Sequence, residues 1–539
     1  MDQSKPSFFI TTPIYYVNAD PHLGTAYSTI IADVQARYRR SAGYNVKFLT
    51  GMDEHGEKVA EAAAKHNMTP QEWTDSQAPH FKELWSKLEI SNDDFIRTTE
   101  PRQHHAVQYL WERMKESGYL YKGSYDGWYC VPDETYFTET QVEKGDEEYG
   151  SVGQHLCPDC HRPLERVQEE SYFFKLSAFQ DKLLKLYDEH PDFVEPAFRM
   201  NEVRSFVEGG LNDLSVSRTS FDWGIQVPFD EGHVTYVWFD ALLNYMTAVG
   251  YGVDTDEARA ELAYRWPAQF HIVGKDIIRF HCVIWPAMLM AIGEALPEHV
   301  FAHGFLTVRN AETGKAEKMS KSRGNVVNPD EIVDVYGADT MRLYEMFIGD
   351  FEKAAPWSPK SIKGCRRFLE RVWSLAEKVQ DGDEYSKEHE ALMHRTIKKV
   401  GEDADSLKAN TAIAALMTML NEFYDKGVNR AEYKTFLALL NPFAPHITEE
   451  LWQQLGETGL LSVAPWPAYD EAKTVESTVE MAVQVNGKLK CTIKLAADAD
   501  KQTAIDTAMA EEKVQHAIEG KQIVKQIVVP GKIVNIVVK

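Results

Sequence analysis

Phe8-Phe9-Ile10 is a run of consecutive apolar positions, the pattern of a strand buried on both faces, here over 8 to 12. Past Gly24 the spacing changes: Ile30, Ile31, Val34 and Tyr38 recur at helical intervals, predicting a helix through Arg39. The run 46 to 49 then returns to strand. Strand and helix in alternation predict an α/β fold with a parallel sheet. The pattern breaks over 117 to 230 into Gly, Tyr, Cys and acidic residues, the signature of an insertion. It resumes at Phe270-His271-Ile272-Val273, a buried strand closed by Gly274, with Lys275 and Asp276 opening the next helix. Helical periodicity over 361 to 380, 388 to 409 and 410 to 427 predicts a helix bundle, and the stretch 465 to 471 reads as a linker. Alternation from Met481 to Leu495 around Asn486-Gly487 predicts a hairpin. A helix over about 502 to 518 and strands over 523 to 529 and 533 to 538, parted by Pro530-Gly531, complete a small α+β module.

These shifts divide the chain into 1–116 and 231–325, two halves of one sheet domain around the insertion 117–230. A linking segment 326–360, a helical domain 361–470 and a terminal module 478–539 follow. At 539 residues the chain is too long for one core. With 44% apolar and 26% charged residues it has a globular composition. No run of eighteen apolar residues occurs, and Met1-Asp2-Gln3-Ser4-Lys5-Pro6 lacks an apolar signal region, which together predict a cytoplasmic protein that does not enter membranes. The formal charge of -24 argues against general nucleic-acid binding unless cations are concentrated locally. Lys360, Lys363, Arg366, Arg367 and Arg371 on one helix, and Lys521, Lys525, Lys532 and Lys539 near the C-terminus, are such concentrations.

The densest chemistry lies in Lys318-Met319-Ser320-Lys321-Ser322, two lysines and two hydroxyls in five residues, whose obvious partner is a polyphosphate. Far upstream, His22-Leu23-Gly24 joins a strand to a helix N-terminus, where backbone N–H groups and the helix dipole favour anions. Gly24 has no side chain to keep an adenine ring from the backbone, and His22 can donate to phosphate oxygens.

His22-Leu23-Gly24 and the lysine stretch together resemble the two-part ATP signature of class I aminoacyl-tRNA synthetases. The match narrows to the methionyl-tRNA synthetase family through the segments 12 to 18 (Thr-Pro-Ile-Tyr-Tyr-Val-Asn), 51 to 56 (Gly-Met-Asp-Glu-His-Gly), 236 to 241 (Tyr-Val-Trp-Phe-Asp-Ala) and 274 to 281 (Gly-Lys-Asp-Ile-Ile-Arg-Phe-His). From Lys318 onward the text resembles leucyl-tRNA synthetase, as in 324 to 330, 336 to 340, 441 to 447 and 464 to 467. The resemblance implies a Rossmann-type catalytic domain, an ATP site at His22, Gly24, Thr25, Gly274, Asp276, Lys318, Ser320 and Lys321, and catalysis by His22, Lys318 and Lys321. It implies a methionine pocket of Ile14, Tyr16, Asp53, Trp238, Ala241, Tyr245 and His281, with Asp53 on the ammonium group. ATP with Mg²⁺, L-methionine and tRNA(Met) are the implied substrates. Thr25 stands where the family usually has a second histidine, which predicts altered but not abolished ATP contacts. Two other readings remain: a leucine-activating enzyme without an editing domain, suggested by the second half, and a non-catalytic tRNA-binding paralogue.

Cys157-Pro158-Asp159-Cys160 is a C-x-x-C knuckle, and with Cys130 it suggests metal before disulfide. Related zinc-bearing enzymes carry a second C-x-x-C pair at the position of Cys130-Val131-Pro132-Asp133, so Asp133 replaces the fourth thiolate. Carboxylate oxygen is an acceptable zinc ligand, with His155 and His161 as competitors for the place.

Overall fold

The computed structural model describes residues 4–145, 153–309, 314, 316–319, 326–475, 478–496 and 499–539, with Lys318 and Thr478 described in their backbone only. Strand β1 (Ser7–Tyr16) lies near the middle of a six-stranded sheet. On one side it pairs with β2 (Asn45–Asp53), and β2 with β3 (Asp94–Arg97). On the other it pairs with Phe270–Gly274, then His299–His303, then Val194–Glu195. Every pairing is parallel, as the alternating pattern predicts. β1 runs further than its apolar core because a register shift between Thr11 and Ile14 carries it past Pro13, which has no N–H to offer the ladder.

The chain leaves β1 toward β2 on one side and meets Phe270–Gly274 on the other, so sheet order reverses at β1. Ligand sites in open α/β sheets form at such switch points, beyond the carboxyl ends of the strands. Helix α1 (Leu23–Ser41) starts there and is buried along most of its length. Its interior Asp33 is wholly buried and bonded by Arg37 Nε at 2.8 Å and Arg342 Nη2 at 2.7 Å, with the Ser91 N–H at 2.7 Å on the other carboxylate oxygen. Burial alone would raise the Asp33 carboxyl, but the two guanidinium groups and Ser91 hold it below the usual carboxylate range.

The insertion is built on β4 (Leu120–Cys130), paired antiparallel with Glu165–Phe174 and with β5 (Thr135–Phe137). It also sends Val194–Glu195 back to the edge of the central sheet, a two-residue strand too short to show a pattern in sequence. After Gly274 no ordinary helix opens: a 3-10 turn, Lys275–Ile277, is followed by a π turn, Phe280–Ile284.

The chain divides into two compact units, Met1–Ser374 with Asp403–Ala414 and Leu440–Trp466, and Leu375–Glu402 with Ala415–Leu439 and Pro467–Lys539. In the second, buried Glu432 accepts from the Ser386 hydroxyl at 2.7 Å and pairs with His389 at 3.1 Å. The terminal module is a four-stranded sheet. Its hairpin turns at Asn486 and Gly487, whose φ of 49° and 76° are those of a type I′ turn. The single helix expected over 502 to 518 is two, Lys501–Ala510 and Glu512–Ile518. Glu511 between them is extended at ψ 125°, and the break lets Ala504, Ala508 and Val514 all enter the core of the module. Among the described residues no helix is long and apolar enough to cross a membrane.

Candidate active site

His22 is the N-cap of α1. Its Nδ1 accepts from the Gly24 N–H at 3.0 Å, while Thr25 Oγ1 accepts from the His22 N–H at 3.3 Å, a reciprocal capping box. A side chain on Gly24 would place Cβ 2.9 Å from the His22 ring, so the small residue is required by the ring's own position. Thr25 thus has a local task, which its hydroxyl performs.

His22 and Thr25 line a cleft of about 1100 Å³ together with Tyr16, Lys58, Trp238, Asp276 and Met319. Met319 belongs to the lysine stretch. It follows the strand Ala316–Lys318, whose Lys318 backbone pairs with Thr307. The distant halves of the signature therefore meet in one cleft. Ser320 and Lys321 lie outside the described residues, and of Lys318 only the backbone is placed. Gly274 ends its strand under Asp276: a Cβ there would fall 2.6 Å from the Asp276 carboxylate.

Behind the cleft wall the expected pocket residues form one packed layer. Trp238 stacks on Phe280 with centroids 3.8 Å apart, and the π turn sets His281 next along against Tyr245. Ala241, Tyr245 and His281 are buried, and Ile14 packs at the margin of the same core. Asp53, at the end of β2, is 2% exposed and its Oδ1 has no hydrogen-bond partner. Burial, then the neighbouring Asp240 and Glu134 carboxylates, push its carboxyl well above the usual range. Asp240 is itself engaged, by His55 Nδ1 at 2.7 Å and Gln103 Nε2 at 2.8 Å. A cation at Asp53 would relieve both the missing bond and the excess negative potential.

Cys130, Asp133, Cys157 and Cys160 bring their ligand atoms within 4.8 Å of one another. The Cys130 and Cys160 sulfurs are 3.6 Å apart, and Asp133 Oδ2 lies 3.4 Å from Cys130 Sγ and 3.2 Å from Cys157 Sγ. Zinc–sulfur bonds of about 2.3 Å give a tetrahedron sulfur–sulfur edges of about 3.7 Å, so the donor set fits zinc. The histidines are engaged elsewhere: His155 stacks on Trp128 at 4.1 Å, and His161 pairs with Glu143 at 2.7 Å. Asp133 is the fourth donor grouped with the three sulfurs.

Several further residues at the site are not among those the resemblance implies. Lys58, Tyr136, Tyr236, Arg199 and Arg279 also line the cleft, and Glu134 sits buried just behind it. Tyr236 and Arg279 fall inside the segments 236 to 241 and 274 to 281 and Glu134 adjoins Asp133, whereas Lys58, Tyr136 and Arg199 fall in none of the matching segments.

A parallel sheet reversing at β1, with a capped histidine and Met319 of the 318 to 322 stretch on one cleft, fits a class I aminoacyl-tRNA synthetase. The family described as tRNA synthetases class I (M) matches residues 8–364, and the anticodon-binding domain of tRNA ligases matches 387–505. The chain belongs to the methionyl-tRNA synthetase family. The methionine--tRNA ligase of Caldanaerobacter subterraneus is 41% identical over 84% of this chain and 74% of its own length, and that of Bacillus subtilis is 40% identical over 88% and 68%. The Mycobacterium tuberculosis methionyl-tRNA synthetase bound by methionyl-adenylate superposes with a TM-score of 0.76 at 35% identity, over 86% of this chain and 99% of that one. The leucyl-tRNA synthetase of Agrobacterium radiobacter K84 gives 0.78 over 99% of this chain and 96% of that one. At 17% identity that likeness is one of fold alone.

Proposed function

We propose that this enzyme activates L-methionine with ATP, releasing pyrophosphate, and transfers the methionyl group to the terminal ribose of tRNA(Met). The observation that carries the reading is the cleft shared by His22, Met319 and Trp238, backed by an aromatic layer and the unpaired Asp53 oxygen. In the first step the methionine carboxylate attacks the α-phosphorus of ATP and pyrophosphate leaves. The carboxylate is already ionised at neutral pH, so no general base is needed. The protein's work is positioning and charge neutralisation. Asp53 holds the ammonium group, and Ile14, Tyr16, Trp238, Ala241, Tyr245 and His281 enclose the thioether, a polarizable group suited to aromatic walls. His22, Gly24 and Thr25 at the head of α1 take the nucleotide with Gly274 and Asp276. Lys318, Ser320 and Lys321 stabilise the departing phosphates, and Mg²⁺ entering with ATP would supply further positive charge there.

In the second step a ribose hydroxyl of the tRNA attacks the adenylate carbonyl and AMP leaves. The segment 387–505, which matches an anticodon-binding domain, supports assigning tRNA recognition to the helical domain. Cys130, Asp133, Cys157 and Cys160 would hold a structural zinc ion beside the cleft. The enzyme acts in the cytoplasm on this reading.

Amino-acid-dependent pyrophosphate exchange across all twenty amino acids tests the proposal. Methionine alone should support exchange at low concentration. Preference for leucine, or no exchange with any amino acid, overturns it.

A further inference from the structure

The knuckle does more than sit beside the cleft. Asp133 turns inward to the three sulfurs, and the next residue, Glu134, has a left-handed φ of 50°. That conformation is uncommon for a side chain of its size and reverses its direction relative to Asp133. Glu134 is wholly buried. Its Oε1 accepts from the Lys58 N–H at 3.2 Å and its Oε2 from the Tyr129 hydroxyl, while its backbone carbonyl accepts from the Tyr236 hydroxyl at 2.6 Å.

Two of these partners, Lys58 and Tyr236, lead to the amino-acid pocket. Lys58 lies in the first turn of the helix α2 (Glu57–Lys65), whose N-cap, Gly56, has no side chain to cap it. Glu134 therefore supplies from the insertion the carboxylate that the head of α2 lacks, where an anion is favoured. The loop it fixes is the one descending from Asp53. Gly56 is pinned by the same carboxylate: a Cβ there would meet Oε1 at 2.9 Å and the Tyr16 hydroxyl at 3.5 Å. Tyr236 is two residues before Trp238. The loop below the ammonium anchor and the segment leading to the Trp238 wall are thus both tied to one residue, the first through its carboxylate and the second through its backbone carbonyl, and its neighbour is a knuckle ligand. Lys58 Nζ adds a second tie, to the Pro132 carbonyl at 2.9 Å.

We infer that Glu134 is a positioning residue that couples the Cys₃Asp knuckle to the methionine pocket, so that amino-acid affinity depends on the integrity of the knuckle. This rests on the methionine site proposed above. The coupling acts through hydrogen bonds, and Glu134 touches no substrate atom.

The test is direct methionine binding, followed by tryptophan fluorescence without ATP, in the full chain and in Glu134→Ala, Glu134→Gln, Cys157→Ala and the double variant Glu134→Ala with Cys157→Ala. Losing one buried acceptor should weaken methionine binding about tenfold, with the KM for ATP unchanged. Glu134→Gln keeps an oxygen for Lys58 N–H and should recover most of the affinity. Cys157→Ala should weaken binding alone but add little in the double variant, because the link is already cut. Wild-type affinity in Glu134→Ala, parallel loss of methionine and ATP affinity in Glu134→Gln, or fully multiplicative effects in the double variant would each overturn the inference. If the wild-type enzyme itself gives no methionine response, the proposed function fails instead.

Discussion

The Tyr245 hydroxyl donates to Nε2 of His281 at 2.7 Å, and Nδ1 of the same ring donates to the Ile277 carbonyl at 3.0 Å. A carbonyl can only accept, so Nδ1 carries a proton, and a depressed pKa leaves the ring neutral with that single proton. Burial is the main cause, pushing the His281 pKa down to about 4 against weaker upward pulls from the Ile277 carbonyl and Asp276. The back of the pocket is therefore an uncharged surface at any physiological pH, as a thioether requires.

A stability consequence follows from that depression. Unfolded, the ring titrates near 6.5, and folded near 4. Between these values the unfolded chain binds more protons, so the His281 contribution is complete above about pH 6.5 and is lost as pH falls toward 4. Denaturant midpoints at pH 7 and pH 5 should differ less in His281→Gln than in the wild-type enzyme. An unchanged difference would mean that the His281 ring titrates alike in the folded and unfolded chain.

Thr25 closes the capping box with His22, so Thr25→Ala should cost about 1 kcal/mol of stability. It should also raise the KM for ATP more than that for methionine, because the cap orients the residues that meet the nucleotide. Thr25→Ser should restore both. Steady-state exchange kinetics with either substrate varied distinguish this from a general loss of activity.

The knuckle distances suit a tetrahedral zinc ion, so the purified enzyme should carry about one zinc ion per chain by elemental analysis. Asp133→Ala should lower that content, and Asp133→Cys should retain it. Equal zinc in Asp133→Ala and the wild-type enzyme would assign the fourth place to another donor.

Much of this architecture is legible where chemistry is local. Phe8-Phe9-Ile10 has too many apolar atoms for an exposed strand, and Asn486-Gly487 suits the two positive φ values of its turn. The donor-rich residues 318 to 322 and the cap at His22 declare an anion site without any fold. Contacts between remote segments leave no such trace. Val194–Glu195 is recognisable as a strand only beside His299–His303. The break at Glu511 depends on the sheet its two helices must cover. Glu134 reads as one more acidic residue until Lys58 N–H, Tyr129 and Tyr236 are placed around it. Even Asp53, marked by its motif, owes its raised affinity for protons to burial and then to Asp240, a residue from another part of the chain.

The short strand at Val194–Glu195 means that the insertion is no removable cassette. Cutting it out would strip the rim from His299–His303 and leave a bare row of amides and carbonyls beside the catalytic crevice, an invitation to stick to other molecules. Attempts to miniaturise the enzyme by deleting that region should yield aggregates unless the lost rim is replaced or capped with charge.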